Sequence, residues 1–331
     1  MKRAIVRPKA DLRDSGLVIS AVAMLISVLI SALIMAVCGY NPLEAYSAIL
    51  AGAFGSLRGI AQTLAQATPL IFTGLAFSFA KKASLINLGV EGQMYMGALG
   101  AALVGITDLG VPAVLHVSLA VLSGFLFGAA YAAIMGFLKV RFGSNEVVAG
   151  VMLNSIATYF INYLLNGALL AEGSSVAQTE RVCESARLPR IFSNYQVTIA
   201  VFLAILACAA IRWFSGSTVL GYEIRSVGMN KKAAETAGIR IGKALIIAMC
   251  VSGGIAGLAG ANQVLGVILA GLIFGVLRAG AMELNRSTGI PVEFVDVIQA
   301  MVVIFVSAPL MIRHMGQAAR RFQKKPAVKE A

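Results

Sequence analysis

Long apolar runs alternate with short polar gaps along almost the whole chain, and the basic residues crowd into every second gap. A hydrocarbon core of about 30 Å needs about 20 apolar residues per crossing helix. Runs on this scale occur at 17–38, 59–80, 88–106, 112–138, 146–170, 195–214 and 294–312, with a longer one at 244–280. The pattern predicts an all-α, polytopic membrane helix bundle of about eight spans. Composition agrees. With 59% hydrophobic and 13% charged residues and a mean hydropathy of +0.85, the chain of 331 residues has too little charge to cover a soluble surface.

The net charge of +12 would suit nucleic acid, but the charges lie between apolar runs and form no basic patch with interleaved aromatics, so no nucleic-acid partner is expected. They read instead as a topology signal. With the N-terminus inside, 21 of the 27 Lys and Arg residues fall in inner segments (1–16, 81–87, 139–145, 212–243, 313–331) and six in outer ones. Both termini are then cytoplasmic. The organisation is a basic N-terminus at 1–16, a transmembrane domain at 17–312 and a basic tail at 313–331. The first run is too long for the apolar part of a secretory signal and reads as a retained span.

The charge count holds only if 244–280 crosses once, net. As one helix its 37 residues would extend about 55 Å. A crossing helix joined to a bent or re-entrant piece is therefore expected, with Gly253, Gly254, Gly257, Gly260 and Gly266 as places to bend. Two short helices that lie flat or re-enter are also expected, especially near 39–58. An offset of 147 residues aligns Gly124 with Gly271, Phe127 with Phe274, Gly128 with Gly275, Met135 with Met282, Glu146 with Glu293 and Val148 with Val295. In this topology the two copies are inverted, as in many transporters.

Signatures of enzymes do not occur: the chain has no HExxH, GxSxG, Walker A or GxGxxG pattern. His116 and His314 have no companions at ligand spacing, and the four cysteines form no CxxC pair. No catalytic residue, metal or cofactor is assigned. The polar residues within spans are more informative, because such groups face a bundle interior or a cavity. Asn154, Thr158 and Asn162 follow one another at four-residue spacing, and Gln62 and Gln66 do the same. Asn87, Glu91 and Gln93 open the third span, while Asn262, Gln263 and Gln299 lie in the second half. Neutral donors and acceptors of this kind suit a nucleoside or a sugar, and Tyr159 and Tyr163 could stack on a base. The alternative role for each is a hydrogen bond between helices. Glu91 and Glu146 stand where helices begin and complement their dipoles.

The largest inner gap, 215–243, carries Gly221, Arg225, Gly228, Asn230, Ala233, Ala234 and Gly238. Asn230 is placed to cap a short helix over Lys231–Ala237, and Gly238 suits the left-handed position after it. So short a helix cannot span, and it offers a dock for a soluble partner.

This loop resembles the coupling segment of bacterial ATP-binding-cassette (ABC) importer permeases. More narrowly, the chain is similar to the permease family serving branched-chain amino acids, simple sugars and nucleosides. The resemblance rests on Ile86-Asn87-Leu88-Gly89-Val90-Glu91-Gly92-Gln93-Met94, on Gly143-Ser144-Asn145-Glu146-Val147-Val148 followed by Met152-Leu153-Asn154, on Gly257-Leu258-Ala259-Gly260, on Leu277-Arg278-Ala279-Gly280, and on Asp296 to Gln299. The Asn145-Glu146-Val147-Val148 form leans toward the nucleoside-type branch. The resemblance implies an inverted-repeat permease in the bacterial plasma membrane, without its own ATPase. Its implied partners are the lipid bilayer, a cytoplasmic ABC ATPase, a second permease (related or identical) and an extracytoplasmic substrate-binding protein. Coupling would fall to Gly221, Arg225, Gly228, Asn230, Ala233, Ala234 and Gly238. The translocation path would be lined by Asn87, Glu91, Gln93, Asn154, Thr158, Asn162, Asn262 and Gln299. The chain departs from the family pattern at Val267-Ile268, where two segments that family members separate by about one further span with its loops are joined directly. The second repeat is therefore shortened. A sugar permease, an ion-coupled transporter and a non-transporting remnant stay open as alternatives.

Overall fold

The structure is a computed structural model that describes residues 16–171, 178–189, 198–259, 276–281 and 283–302. These residues are overwhelmingly helical and contain no β-sheet. They divide into two compact units, one drawn from 1–56 and 277–331, the other from 57–276.

The first unit holds α1 (Gly16–Val37), α2 (Pro42–Phe54) and the helical residues 277–281, 283–288 and 293–302. Of the two short helices expected, the one near 39–58 is α2. Asn41 starts it by accepting from the Leu43 amide at 3.1 Å, and Pro42 occupies the first turn, where its missing N–H costs nothing. The Tyr46 hydroxyl donates to the Val28 carbonyl at 2.8 Å and ties α2 to α1. Gly280 lies against the backbone of Ile49, and Tyr40 meets Phe294 edge to face at 5.4 Å.

The second unit runs α3 (Leu57–Lys82), α4 (Val90–Ile106), α5 (Ala113–Phe142), α6 (Glu146–Leu165), α7 (Ala200–Ser217), α8 (Val219–Met229), α9 (Lys231–Thr236) and α10 (Ile241–Gly257). Four of these, α3, α5, α6 and α7, are long and apolar enough to cross a bilayer, and α10 is a shorter apolar helix. The expected span at 244–280 begins as α10; residues 260–275 lie outside the described residues. So do Gly271, Phe274, Gly275 and Met282, and with them most of the second copy of the repeat.

Apolar side chains of α3, α5 and α10, among them Leu75, Phe79, Met135, Leu245 and Met249, form the core. Between α5, α4 and α10 side chains almost vanish. Gly124, Gly128, Ala132 and Gly136 recur every fourth residue on one buried face of α5. Gly97 of α4 and Gly253 and Gly257 of α10 face them. A methyl group on Gly128 would stand 2.8 Å from the Gly257 Cα, and one on Gly97 would stand 2.9 Å from the Gly124 carbonyl oxygen. In lipid no hydrophobic force drives helices together, so close van der Waals contact between small residues must hold them.

At the end of this unit where α4 stops and α5 starts, a strap of residues 178–189 is pinned by His116. Its Nε2 lies 3.0 Å from the Val104 carbonyl and its Nδ1 2.9 Å from the Ser185 hydroxyl. A carbonyl can only accept, so Nε2 donates to Val104. The Cys183 amide donates to the Gly105 carbonyl at 2.9 Å and fixes the same strap.

The glycine crossing makes a sharp prediction. Gly257→Leu forces a side chain into the α5 backbone and should cost at least the roughly 1–3 kcal/mol of ordinary overpacking. Gly216→Ala, with open space around it, should cost nothing measurable. Thermal unfolding of the purified chain in detergent distinguishes them, and equal midpoints would contradict this packing.

Candidate functional site

Three joints occupy the opposite end of the second unit, where α3, α5 and α7 finish. The first is the turn from α3 to α4. Asn87 is 1% exposed, as is Gln93, and the two amides pair (Asn87 Nδ2 to Gln93 Oε1, 2.8 Å; Gln93 Nε2 to Asn87 Oδ1, 3.0 Å). Asn87 Oδ1 also accepts from the Gly89 amide at 3.1 Å, which closes the turn. Asn87 Nδ2 donates to Ser252 Oγ at 2.8 Å, and Ser252 donates to the Ala76 carbonyl at 2.6 Å. One buried chain of polar groups thus links α3, the turn, α4 and α10. Ser252 stood out in the sequence only as a lone hydroxyl within an apolar, glycine-rich helix.

The second joint connects α5 and α6. Gly143, at φ +66, ends α5 in the left-handed conformation. Asn145 caps α6 by accepting from the Val147 amide at 2.9 Å. Glu146, in the first turn, forms an ion pair with Lys139 in the last turn of α5. The Gly-Ser-Asn-Glu run is thus a stop, a start and a clasp. Further along α6, Asn154 Oδ1 accepts from the Gly92 amide at 2.8 Å and its Nδ2 donates to the Leu88 carbonyl at 2.9 Å. That side chain satisfies one of the amides left open at the start of α4.

The third joint is a bracket built from α8 and α9. The sequence reading placed one short helix here over 231–237. The structure has two, and α9 ends at Thr236, closed by Gly238 in the left-handed conformation and by the Ile239 amide, which reaches back to the Ala234 carbonyl at 3.0 Å. Thr218 caps α8 through the Gly221 amide at 3.0 Å. Asn230 caps α9 through the Ala233 amide at 3.2 Å, and Gly238 follows at φ +82. Gly221 and Gly228 lie seven residues apart on one face of α8. A methyl group on Gly221 would stand 2.8 Å from the Ser215 Cα at the end of α7, and one on Gly228 would strike the Lys82 carbonyl at the end of α3. The bracket therefore sits backbone to backbone on two helices. Ala234 is buried beneath it, while Lys231, Lys232, Ala233 and Glu235 are exposed. Arg225 is exposed, with its Nε 3.4 Å from the Gly221 carbonyl.

The remaining polar residues separate from these joints. Glu91 is exposed and accepts from the Tyr95 hydroxyl at 3.3 Å. Thr158 donates to the Asn154 carbonyl at 3.0 Å, within its own helix. Asn162, Tyr159 and Tyr163 lie exposed on α6. Gln299 belongs to the first unit, and its Nε2 is buried with no hydrogen-bond partner among the described residues. Asn262 lies outside the described residues. Among the described residues, no three of His, Cys, Asp and Glu converge to hold a metal.

The fold and these joints define a multi-pass membrane protein, and comparison with known proteins identifies the family. Residues 59–266 match the family described as the branched-chain amino acid transport system permease component. The guanosine ABC transporter permease protein NupP of Bacillus subtilis is 33% identical over 348 aligned positions, covering 93% of this chain and 98% of the relative. The nucleoside ABC transporter permease protein NupB of Lactococcus lactis is 29% identical, covering 93% and 95%. The glucose ABC transporter permease protein TsgB13 of Haloferax volcanii is 28% identical, covering 80% of each. No solved structure gives a significant match. The chain belongs to this permease family, and it is a transmembrane subunit of an ABC importer.

The buried joint predicts a graded series. Asn87→Ala strands the Gln93 amide and the Gly89 N–H, at about 1–3 kcal/mol for each orphaned group. Asn162→Ala, at an exposed position, should stay within about 0.5 kcal/mol of the parent. Denaturant titration in mixed micelles measures both, and a destabilisation by Asn162→Ala as large as that by Asn87→Ala would remove the joint from its structural role.

Proposed function

We propose that this subunit imports a nucleoside across a bacterial plasma membrane, with both termini in the cytoplasm and ATP hydrolysis carried by a separate cytoplasmic ATPase. A second permease chain and an extracytoplasmic substrate-binding protein complete the importer. The observation that carries the reading is the capped bracket of α8 and α9. The outer face of α9 carries Lys231, Lys232 and Glu235, while the inner face of the bracket rests on the ends of α3 and α7 and, through α9, on the start of α10. A push on α9 from an ATPase would reach those helices directly and tilt them around a central path. Gly221, Arg225, Gly228, Asn230, Ala233, Ala234 and Gly238 form this coupling element. The nucleoside reading draws its support from the names of the relatives NupP and NupB, which match across nearly their whole lengths.

Of the residues suggested for the path, Asn87, Gln93 and Asn154 have their side-chain hydrogen bonds committed within the protein and serve as its frame. Glu91, Thr158, Asn162 and Gln299, together with Tyr159 and Tyr163, are the better candidates to meet substrate. A nucleoside offers neutral donors and acceptors to the amides and an aromatic face to the tyrosines.

A second reading, a shortened permease that cannot transport alone, has one specific observation in its favour. The 348 positions aligned with NupP include 93% of this chain, about 308 residues, so about 40 positions fall opposite a gap; NupB gives the same figures. The family match ends at residue 266, beside the junction at Val267-Ile268. Forty residues are enough for one span with its loops.

Two outcomes are expected. A cysteine at position 232 should react with a membrane-impermeant maleimide in inside-out vesicles and not in intact cells; the reverse would overturn the orientation. Cells carrying the whole importer should take up labelled nucleoside in an ATP-dependent manner, and Gly228→Leu should abolish uptake with the chain still inserted. Uptake that appears only after a relative's segment of about 40 residues is grafted at Val267-Ile268 would decide for the shortened permease.

A further inference from the structure

Beside the bracket lies a cavity of about 450 Å³ lined by Lys81, Lys82, Tyr222, Arg225, Ser226, Gly228 and Met229. It is strongly basic. Lys82 feels the charges of both Arg225 and Arg212. Among the described residues none of Lys81, Lys82, Arg212 and Arg225 takes part in an ion pair, even though Glu223 stands on the same helix. Lys82 uses one of its three hydrogens on Ser215 Oγ at 2.8 Å, and Arg225 directs Nε at the Gly221 carbonyl. Among the described residues, no protein acceptor meets the remaining ammonium and guanidinium hydrogens. Several cations this close repel one another, and an anion with several oxygens relieves that repulsion.

The surroundings say which anion. Val219, Tyr222 and Met229 are 74%, 59% and 81% exposed, an apolar stripe along the face of α8 opposite its buried residues Gly221, Ile224 and Val227. A helix with one buried face and one exposed apolar stripe bordered by basic residues has the make-up of an element lying at a bilayer surface. Trp213, 65% exposed near the end of α7, is the residue type that settles at the level of lipid headgroups. An α8 lying at the bilayer surface would set these cations at headgroup depth, beside apolar surface suited to acyl chains.

We propose that this cavity binds the phosphate of an anionic membrane lipid, with Arg225, Lys81 and Lys82 as its ligands and the stripe Val219, Tyr222 and Met229 against the acyl chains. Arg225 provides the forked contact that phosphate oxygens favour. The lipid would brace α8 against α3 at Gly228, so it adds a lipid requirement to the bracket without depending on which solute is carried.

The test is native mass spectrometry of the purified full-length chain, titrated with phosphatidylglycerol, with phosphatidylcholine and with inorganic phosphate. Phosphatidylglycerol should bind in preference to phosphatidylcholine. Arg225→Gln and the double change Lys81→Gln with Lys82→Gln should each weaken it about tenfold. Arg225→Lys, which keeps the charge and loses the fork, should restore only part of the loss, and Lys232→Gln, on exposed α9, should leave binding unchanged. Arg225 is exposed, so its replacement keeps the fold and the comparison stands even where the lysine pair proves unstable. Equal binding of the two lipids, or unchanged phosphatidylglycerol binding in Arg225→Gln, would overturn the proposal. So would displacement of the lipid by equimolar inorganic phosphate, which would make the cavity a free-anion site. Loss of ATPase association in the charge variants with lipid binding intact would reassign the cations to the protein partner.

Discussion

A helix already surrounded by lipid gains little by exchanging lipid for another apolar helix, so what holds α3, α4 and α10 together must be polar or very close. Asn87 supplies the polar part. Its amide joins Gln93, the Gly89 amide and Ser252, and Ser252 continues to the Ala76 carbonyl. Every member of that chain is buried and satisfied, the condition under which a polar network rigidifies a core instead of weakening it. The turn from α3 to α4 is thereby set, and with it the height at which Gly92 meets Asn154 of α6. Removing one group would leave the others facing hydrocarbon with nothing to bond.

Close approach supplies the rest. The glycines of α4, α5 and α10 bring three backbones within reach of each other, and the same device recurs where α8 rests on α3 and α7. Both devices depend on absent side chains, so both are sensitive to small substitutions and indifferent to the large apolar residues that face outward from α5 and α6.

Much of this was legible in the residues. Apolar run length located α1 and α3 to α7 to within a few positions, and the cap chemistry of Asn230 and Gly238 marked α9. Two things were not legible. Helix α8 was not foreseen, because Gly221 and Gly228 stand within an inner gap with no apolar run to mark a helix, and only the structure shows them as points of backbone contact. The partner of Asn87 was missed because Ser252 is 165 residues away, and only the packing of α10 on α3 and α4 brings it near. The polar residues proposed for a path were visible as a group, but their spacing could not separate those committed to joints, such as Asn154, from those left exposed, such as Asn162.

Seating a helix at two points seven residues apart has a mechanical consequence. A rod fixed at one point pivots, and a rod resting on flexible side chains slides; α8 is denied both freedoms. Torque applied at its far end has no backlash to absorb it and arrives at the ends of α3 and α7 together. Those two ends therefore move as a single stiff plate, and any rearrangement of the bundle must bend elsewhere along their lengths.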